Sequence, residues 1–436
     1  MASEIKALFA SGRLRGEIDL VALDNYLELM YIPPWKSIYE NIFSLPPAHV
    51  AVYRNDNLEI KRYWSLAYNP ISISYEDAKK ETKRLLDEAV KKRMLAADVE
   101  VGSLLSGGVD STFVSILAQK YLDHPLKTFA LGYGEYVNEL PYAEKASRAI
   151  GSEHFTLQAG GDLIEELETV IGYFDEPHAD SSDFPQHLIS QLAASKVKVA
   201  LSGDGGDEIF LGYGWHARHM NLSYRHNTFE KLFLDPFRGR VRMTRVFSPW
   251  QRVALWGSLL HLNKDIFAKG AYQSGLDPIR KIITFDITTY LPGQLLTKVD
   301  RTSMMHGLEV RSPFLDTALV EFVYNLPTEY KINNQGYKII LKDLLSDYMP
   351  HDFVYRRKQG FGAPIGKWLR EPKMSSYVKE KLGSGAHIRR LFVSKTIDFL
   401  LNDFYVKNND RGQMRLWTLL CLELWFLSHE EYHVTQ

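Results

Sequence analysis

The stretch Ser106-Gly107-Gly108-Val109-Asp110-Ser111-Thr112 decides the fold. It lies between a short apolar run over residues 99–105 and a segment of helical spacing over residues 111–121. The two glycines let the backbone turn tightly, so that successive N–H groups converge on an anion, and the hydroxyl groups add further donors. The helix that follows directs its positive end to the same place. The motif therefore predicts a phosphate-binding turn, although without the Gly-Lys-Ser/Thr ending of a Walker A loop.

Strand-like and helix-like segments alternate on both sides of this turn. Further strands are predicted over 128–131, 155–157 and 197–201, with helices over 78–95, after a capping box at 74–77, and over 142–150 and 186–194. This alternation is typical of an α/β protein with a doubly wound parallel sheet, whose ligands bind beyond the carboxyl ends of the strands. After about Tyr213 the pattern is mostly helical, with loops expected at Pro292, Pro313, Pro327 and around Gly360.

The first residues differ from the rest of the chain. Segments 49–53 and 58–64 are predicted strands joined by a polar turn, and a lone hairpin of this size needs something to pack on. We therefore expect a small β-rich unit over residues 1–66 and a larger nucleotide-binding domain over residues 67–436.

A second motif, Leu201-Ser202-Gly203-Asp204-Gly205-Gly206-Asp207-Glu208, also follows a predicted strand. The alternative interpretation is a solvated acidic turn. The functional interpretation is a backbone that approaches a nucleotide while carboxylates hold Mg²⁺, which needs only one or two protein carboxylates when it is bound to a triphosphate. Asp110 and Asp207, one from each strand end, are the predicted metal ligands.

Two basic segments are less specific. Arg356-Arg357-Lys358-Gln359-Gly360-Phe361-Gly362 combines cations with glycine and could close over phosphates, but alone it is more typical of a solvated turn. Segment 298–314 is either part of the site or a helix with ordinary surface ion pairs.

Composition excludes several classes of protein. The 436 residues carry 52 Lys and Arg against 53 Asp and Glu, so no overall field favours nucleic acid or an anionic membrane. The longest apolar stretch, residues 416–427, is too short for a membrane span and contains Glu423. The single cysteine, Cys421, cannot form an internal disulfide. No secretion signal is evident, so we expect a cytoplasmic protein.

Together the four motifs resemble the synthetase domain of the class B asparagine synthetase family, which includes β-lactam synthetases and lasso-peptide cyclases. Segments 174–177 and 180–182 are similar to the substrate-side loop of that family, and the likeness runs from about Leu20 to the C-terminus. The resemblance implies a fold of the pyrophosphate-loop ATP pyrophosphatase type. It also implies ATP-dependent amide formation, in which Mg·ATP adenylates a carboxylate, pyrophosphate leaves, and ammonia or another amine attacks.

The resemblance also implies roles for individual residues. The implied ATP contacts are Leu104, Ser106, Gly107, Gly108, Asp110, Ser111, Thr112, Leu131 and Gly203, and the implied Mg²⁺ ligands are Asp110 and Asp207. The implied catalytic residues are Lys358, Asp204 and Arg301, and the implied substrate contacts are Asp180, Ser181 and Asp183.

The N-terminus departs from the family pattern. Ala2 stands where family members have a nucleophilic cysteine, and residues 2–8 look like the interior of a glutaminase domain. We therefore expect no glutaminase activity and nitrogen from a separate subunit, free ammonium or another amine; a homodimer is also compatible with this family. His178 and Asp183 stand where smaller or apolar residues are expected, which hints at an acid other than plain aspartate.

The sequence leaves three alternatives open. One is an amide ligase or cyclase of a specialised pathway that uses an amine other than ammonia. Another is a tRNA-modifying or sulfur-transferring enzyme with the same loop, against which near-neutral charge and a lone cysteine in an apolar context weigh. The third is a scaffold without activity, which the intact Asp110, Asp207 and Lys358 disfavour.

Overall fold

The computed structural model describes residues 1–132, 139–159, 163–218, 240, 244–258, 276–334, 336–356 and 363–432. Its centre is a five-stranded parallel sheet, which confirms the predicted α/β class. The described strands are β1 His49–Arg54, β2 Asn57–Arg62, β3 Val101–Leu104, β4 Lys127–Gly132, β5 Glu153–Gln158, β6 Val199–Leu201, β7 Glu309–Arg311, β8 Ile332–Asn333 and β9 Gly336–Tyr337.

Helices cover both faces of the sheet and form most of the C-terminal part. Those before β6 are α1 Ile5–Phe9, α2 Leu20–Leu29, α3 Tyr75–Leu95, α4 Val109–Gln119, α5 Leu140–Ile150, α6 Leu163–Tyr173 and α7 Asp183–Ala194. Those from β6 to β9 are α8 Gly206–Ile209, α9 Pro249–Trp256, α10 Pro278–Phe285, α11 Thr297–Met304 and α12 Thr317–Asn325. The last are α13 Ile339–Leu345, α14 His351–Val354, α15 Ile365–Trp368, α16 Pro372–Lys381, α17 Ile388–Leu391, α18 Ser394–Tyr405 and α19 Gln413–Ser428.

The strand order places the phosphate-binding turn at the centre of the sheet. The order is β5-β4-β3-β6-β7. The chain therefore adds β4 and β5 on one side of β3 and then adds β6 and β7 on the other side of β3. Ser103 pairs with Thr128 of β4 on one side and with Leu201 of β6 on the other. Ligands of open parallel sheets bind where the strand order reverses. The loops after β3 and β6 flank that point.

In the second half of the chain one strand was not predicted and one expectation was wrong. Segment 298–314 is helical only through α11, after which β7 joins the edge of the sheet next to β6. Three residues of strand between a turn and a proline give too short a pattern to detect. Pro292 does not lie in a loop but inside a π-helix, Asp286–Leu296, which continues α10 directly into α11. Such helices are rare and often occur at functional sites.

The N-terminal residues contribute to the apolar core of the whole chain. Helix α2 is buried together with α19, and the Tyr26 hydroxyl donates a hydrogen bond of 2.8 Å to the backbone carbonyl of Thr418. Strands β1 and β2 pair as predicted, but almost all of their side chains are exposed. Among the described residues no helix is long and apolar enough to cross a membrane.

Candidate functional site

The phosphate-binding turn is held in shape by its own hydroxyl groups. The Oγ atoms of Ser106 and Ser111 lie 3.0 Å apart, and the backbone N–H of Gly108 donates to Ser106 Oγ over 3.2 Å. Gly107 has a φ of +71°, a left-handed conformation that favours glycine. Gly108 begins α4 without a capping side chain, so the first turn of that helix is open to an anion at the edge of the sheet.

The second motif packs directly against the first. A Cβ atom added at Gly206 would lie 2.6 Å from Oδ1 of Asp110, and one added at Gly203 would lie 2.9 Å from Cβ of Asp110. Both positions therefore admit only glycine if Asp110 is to keep its place. This close approach explains why the second motif contains so many glycines. From the sequence, the same glycines are predicted to let the backbone approach a nucleotide.

Lys338 joins the two predicted metal ligands. Its Nζ lies 2.5 Å from Oδ2 of Asp110 and 2.7 Å from Oδ1 of Asp207, and the residue is 5% exposed. Burial acts to lower the pKa of Lys338, but Asp110 and Asp207 outweigh it and raise that pKa above its usual value. Gly212 leaves the room for this pair, because a Cβ there would collide with Asp207 and Lys338.

The donor set formed by Asp110 and Asp207 fits a divalent cation that is shared with phosphates. Their carboxylates come from different strand ends and converge on one positive charge. In the part of the chain that the structure describes, no three His, Cys, Asp or Glu side chains are grouped to hold a metal. Two carboxylates suit Mg²⁺ that takes its other ligands from a nucleotide and water.

The first basic segment reaches the same edge of the sheet. The Arg356 guanidinium donates through Nη2 to the backbone carbonyl of Gly107 over 2.9 Å and lies 4.0 Å from the ring centre of Tyr142. This contact places the start of the segment against the phosphate-binding turn. Lys358 itself lies outside the described residues, so its implied role stays a prediction.

The predicted substrate residues form a buried polar cluster with Lys298. Its Nζ donates to Ser182 Oγ over 2.8 Å and lies 3.6 Å from Oδ2 of Asp180, which also accepts from Nε2 of Gln294 over 3.1 Å. Burial acts to raise the pKa of Asp180, but Lys298 leads the groups that lower it to about 2. Ser181 is half-buried within the same loop.

Asp204 connects this cluster to the phosphate end of the site. Burial raises the pKa of Asp204, and the charge of Lys298 opposes that shift. Its backbone carbonyl accepts a hydrogen bond of 2.9 Å from Ser312 Oγ. A carboxyl group with a raised pKa between an acid pocket and a phosphate site is suited to exchange a proton there.

The remaining predicted site residues lie in two different surroundings. Leu104 and Leu131 are buried in one apolar cluster at the carboxyl ends of β3 and β4. Arg301, by contrast, donates through Nη1 to Oε1 of Glu4 over 2.6 Å. It lines a cavity of about 450 Å³ together with residues of the N-terminal segment.

Sequence reasoning missed Lys338 and Gln294. Lys338 precedes a helix as an isolated lysine, and Gln294 lies in the π-helix that was expected to be a loop. These side chains come close to Asp110, Asp207 and Asp180 only in the folded chain. A proline in an otherwise helical stretch was the one available signal for an unusual helix near the site.

The fold and the two converging loops define an α/β protein with a candidate site for anions and cations at the edge of its parallel sheet. Two family models match this chain. The asparagine synthase model matches residues 81–427, and a glutamine amidotransferase domain model matches residues 1–64. The chain therefore belongs to the asparagine synthase family, which makes it a ligase of the ATP-dependent, amide-forming type.

Curated relatives agree with that assignment. The chain is 27% identical to asparagine synthetase [glutamine-hydrolyzing] 1 of Bacillus subtilis, over 97% of this chain and 71% of the relative. It is 30% identical to a putative asparagine synthetase [glutamine-hydrolyzing] of Mycobacterium bovis, over 100% of this chain and 72% of the relative. Among solved structures, the U34-tRNA thiolase NcsA from Methanococcus maripaludis is similar over 84% of this chain and 91% of that chain, with a TM-score of 0.30 and 11% identity.

Proposed function

We propose that this chain adenylates a small-molecule carboxylate with Mg·ATP, releases pyrophosphate, and transfers the acyl group to ammonia or another amine. The observation that carries the proposal is the convergence of Asp110 and Asp207 on Lys338 at the open N-terminus of α4. This arrangement offers backbone donors, a buried cation and two carboxylates at one point, which is what a metal-bound triphosphate requires.

Adenylation solves a leaving-group problem. A carboxylate is a poor acyl donor because its leaving group would be oxide, whereas AMP leaves as a phosphate monoester. In the proposed site the turn with Ser106, Ser111 and Thr112 binds the departing pyrophosphate, and Lys338 neutralises the charge that grows on it. Mg²⁺ held by Asp110 and Asp207 would supply further neutralisation of the phosphates when bound.

The amine needs a proton acceptor. An ammonium ion has no lone pair until it loses a proton, and a protein carboxylate near the acyl carbon can take it. We assign this role to Asp204, because its raised pKa makes it a better base than an exposed aspartate. Lys298, through its contacts with Ser182 and Asp180, would orient the carboxylate of the acid.

The nitrogen source in this proposal is an amine rather than glutamine. Cys421 is the single cysteine among the 436 residues, it is buried in α19, and burial raises the pKa of its thiol well above the usual value. A buried neutral thiol is not a nucleophile. Ammonia would then come from solution or from a separate ammonia-supplying polypeptide.

The test is acid-dependent exchange of pyrophosphate into ATP, followed by amide formation with ammonium. Each candidate acid is incubated with the chain, Mg·ATP and labelled pyrophosphate, and label in ATP is counted. We expect exchange with at least one acid and an amide product once ammonium is added. Asp110→Asn should abolish exchange, whereas Asp123→Asn, at a side chain that is 99% exposed, should leave it unchanged. Exchange that persists in the Asp110→Asn variant would refute the proposal. So would the absence of exchange with every acid in the wild-type chain.

A further inference from the structure

Strands β1 and β2 form an antiparallel ribbon. Of the other strands that the structure describes, none joins this two-stranded sheet. The turn of the ribbon is tight, since Asn55 and Asp56 both have a positive φ, of +49° and +59°. A two-stranded ribbon by itself is only marginally stable in water, and a sheet becomes stable with three or more strands that share an apolar face. The ribbon therefore has room for further strands.

The ribbon exposes apolar side chains from both of its strands. Tyr53, Leu58 and Ile60 are 59%, 51% and 51% exposed. Tyr53 lies opposite Leu58 in the ribbon. Ala51 lies opposite Ile60, two residues farther from the turn, so all four side chains share one face. Neighbouring exposed apolar side chains of this kind are typical of an interaction surface.

The outer edge of β2 presents backbone groups that β1 does not use. The N–H of Tyr63 donates to the carbonyl of Ala48 over 2.9 Å, just beyond the last pair of the two strands. Hydrogen-bonded and non-hydrogen-bonded pairs alternate along an antiparallel ladder. The N–H and C=O groups of Leu58, Ile60 and Arg62 therefore point away from β1. An edge of this kind can pair with a further strand.

The charges on β2 are complementary to those of a second β2 that runs in the opposite direction. Glu59 and Lys61 lie on one face of the strand, with Oε1 and Nζ 2.8 Å apart, and both side chains are more than half exposed. When Ile60 of one copy lies opposite Ile60 of the other, Glu59 of each copy lies opposite Lys61 of its neighbour. Opposite charges directly across a ladder stabilise it, and like charges destabilise it. The same register places Leu58 against the aliphatic stem of Arg62.

The pattern of backbone hydrogen bonds agrees with this register. Ile60 opposite Ile60 brings together residues whose N–H and C=O groups point outward, and Leu58 opposite Arg62 does the same. Glu59 and Lys61 then form the non-hydrogen-bonded pairs, in which the side chains of an antiparallel ladder come closest. Charge and hydrogen bonding thus select the same alignment.

We propose that two copies of this chain associate through the outer edges of β2, in an antiparallel pairing centred on Ile60 that joins the two ribbons into one four-stranded sheet. The contact uses the same residues of both copies, so it closes as a symmetric dimer. This inference is independent of the proposed function.

The first test is a charge-reversal series, with sedimentation velocity over a range of chain concentrations as the readout. We expect the wild-type chain to dimerise, and E59K and K61E each to raise the Kd of the dimer about tenfold or more, because each places like charges opposite one another twice. An equimolar mixture of E59K and K61E should dimerise about as well as the wild type, since all four charges are then paired with opposite charges. A monomeric wild type, single variants that dimerise like the wild type, or a mixture as weak as its components would overturn the inference.

Cysteine cross-linking tests the register. The variant E59C/K61C places thiols in non-hydrogen-bonded pairs, whose Cα atoms lie about 4.5 Å apart, within the range of a disulfide. The single native cysteine, Cys421, is buried and does not compete. We expect a covalent dimer on a non-reducing gel after mild oxidation. The matched control V50C/V52C makes the same change on β1, whose outer edge the proposal leaves free, and should stay monomeric. A covalent dimer of the control, or none of E59C/K61C, would overturn the inference.

Discussion

Replacement of Lys338 by methionine tests how the nucleotide site is built. The side chain is 5% exposed and its ammonium group contacts both Asp110 and Asp207. Methionine keeps the length and the apolar stem but leaves two carboxylates close together without their cation. Removing one member of a buried ion pair costs about 3–5 kcal/mol, so the free energy of unfolding should fall by that order.

Catalysis should suffer separately from stability. Loss of a preorganised charge that stabilises the transition state costs about 3 kcal/mol, which corresponds to a rate about 10²-fold lower. We therefore expect K338M to reduce kcat for pyrophosphate exchange by about that factor at a temperature where the variant is still folded. Lys342→Met, inside the helix that follows Lys338 and with its ammonium group over the ring of Tyr355, should change the rate less than twofold.

Magnesium provides a second readout for the same variant. With Lys338 gone, the two carboxylates should bind a divalent cation in the absence of nucleotide. A cation that binds only the folded state raises the stability of that state. MgCl₂ should then raise the Tm of K338M by more than it raises that of the wild type. A wild-type exchange rate in K338M, or an identical response of both proteins to MgCl₂, would refute the view that Lys338 holds a metal-binding pair.

Three further outcomes follow from the same geometry. Gly206→Ala places a Cβ 2.6 Å from Oδ1 of Asp110 and should lower kcat/KM for Mg·ATP at least tenfold, whereas Gly214→Ala, with open space around it, should not; steady-state kinetics of exchange compares them. Arg356→Ala removes the contact with the Gly107 carbonyl and should raise KM for ATP severalfold in the same assay, with a smaller effect on kcat. Burial and then the charge of Asp207 raise the pKa of Glu208 to about 8, so the folded state holds a proton that the unfolded state releases above its ordinary pKa. Stability should therefore decline by about 1.4 kcal/mol per pH unit between about pH 5 and 8, and urea unfolding of Glu208→Gln, which stays neutral, should lack that decline.

The sheet and its two loops could be predicted because local sequence controls them. Glycines and hydroxyl residues between a strand and a helix act over a few residues, and the same turn requires them wherever the fold occurs. The strands β3, β4, β5 and β6 were expected within one or two residues of their observed bounds, since each is a short apolar run next to a turn. The edge strand β7 was missed because three half-exposed residues carry no such pattern.

The charges of the site could not be predicted to the same extent, because they depend on contacts between distant parts of the chain. Asp110 and Asp207 were found since each lies in a glycine-rich loop, but their partner, Lys338, comes from the start of α13, 228 residues after Asp110. Nothing local distinguishes Lys338 from the other lysines of the chain. Its role arises from the helix that positions it and from burial, which makes an unpaired charge too costly to keep.

The same argument applies at both ends of the proposed site. At the proposed phosphate end, Lys338 lies between two carboxylates, and the N-terminus of α4 adds a partial positive charge. At the proposed acid end, Lys298 faces the carboxyl groups of Asp180, Asp204 and Asp183. Both lysines are buried, and an unpaired charge would be too costly at either position. Each end of the proposed site thus depends on one buried lysine and on the carboxyl groups that surround it.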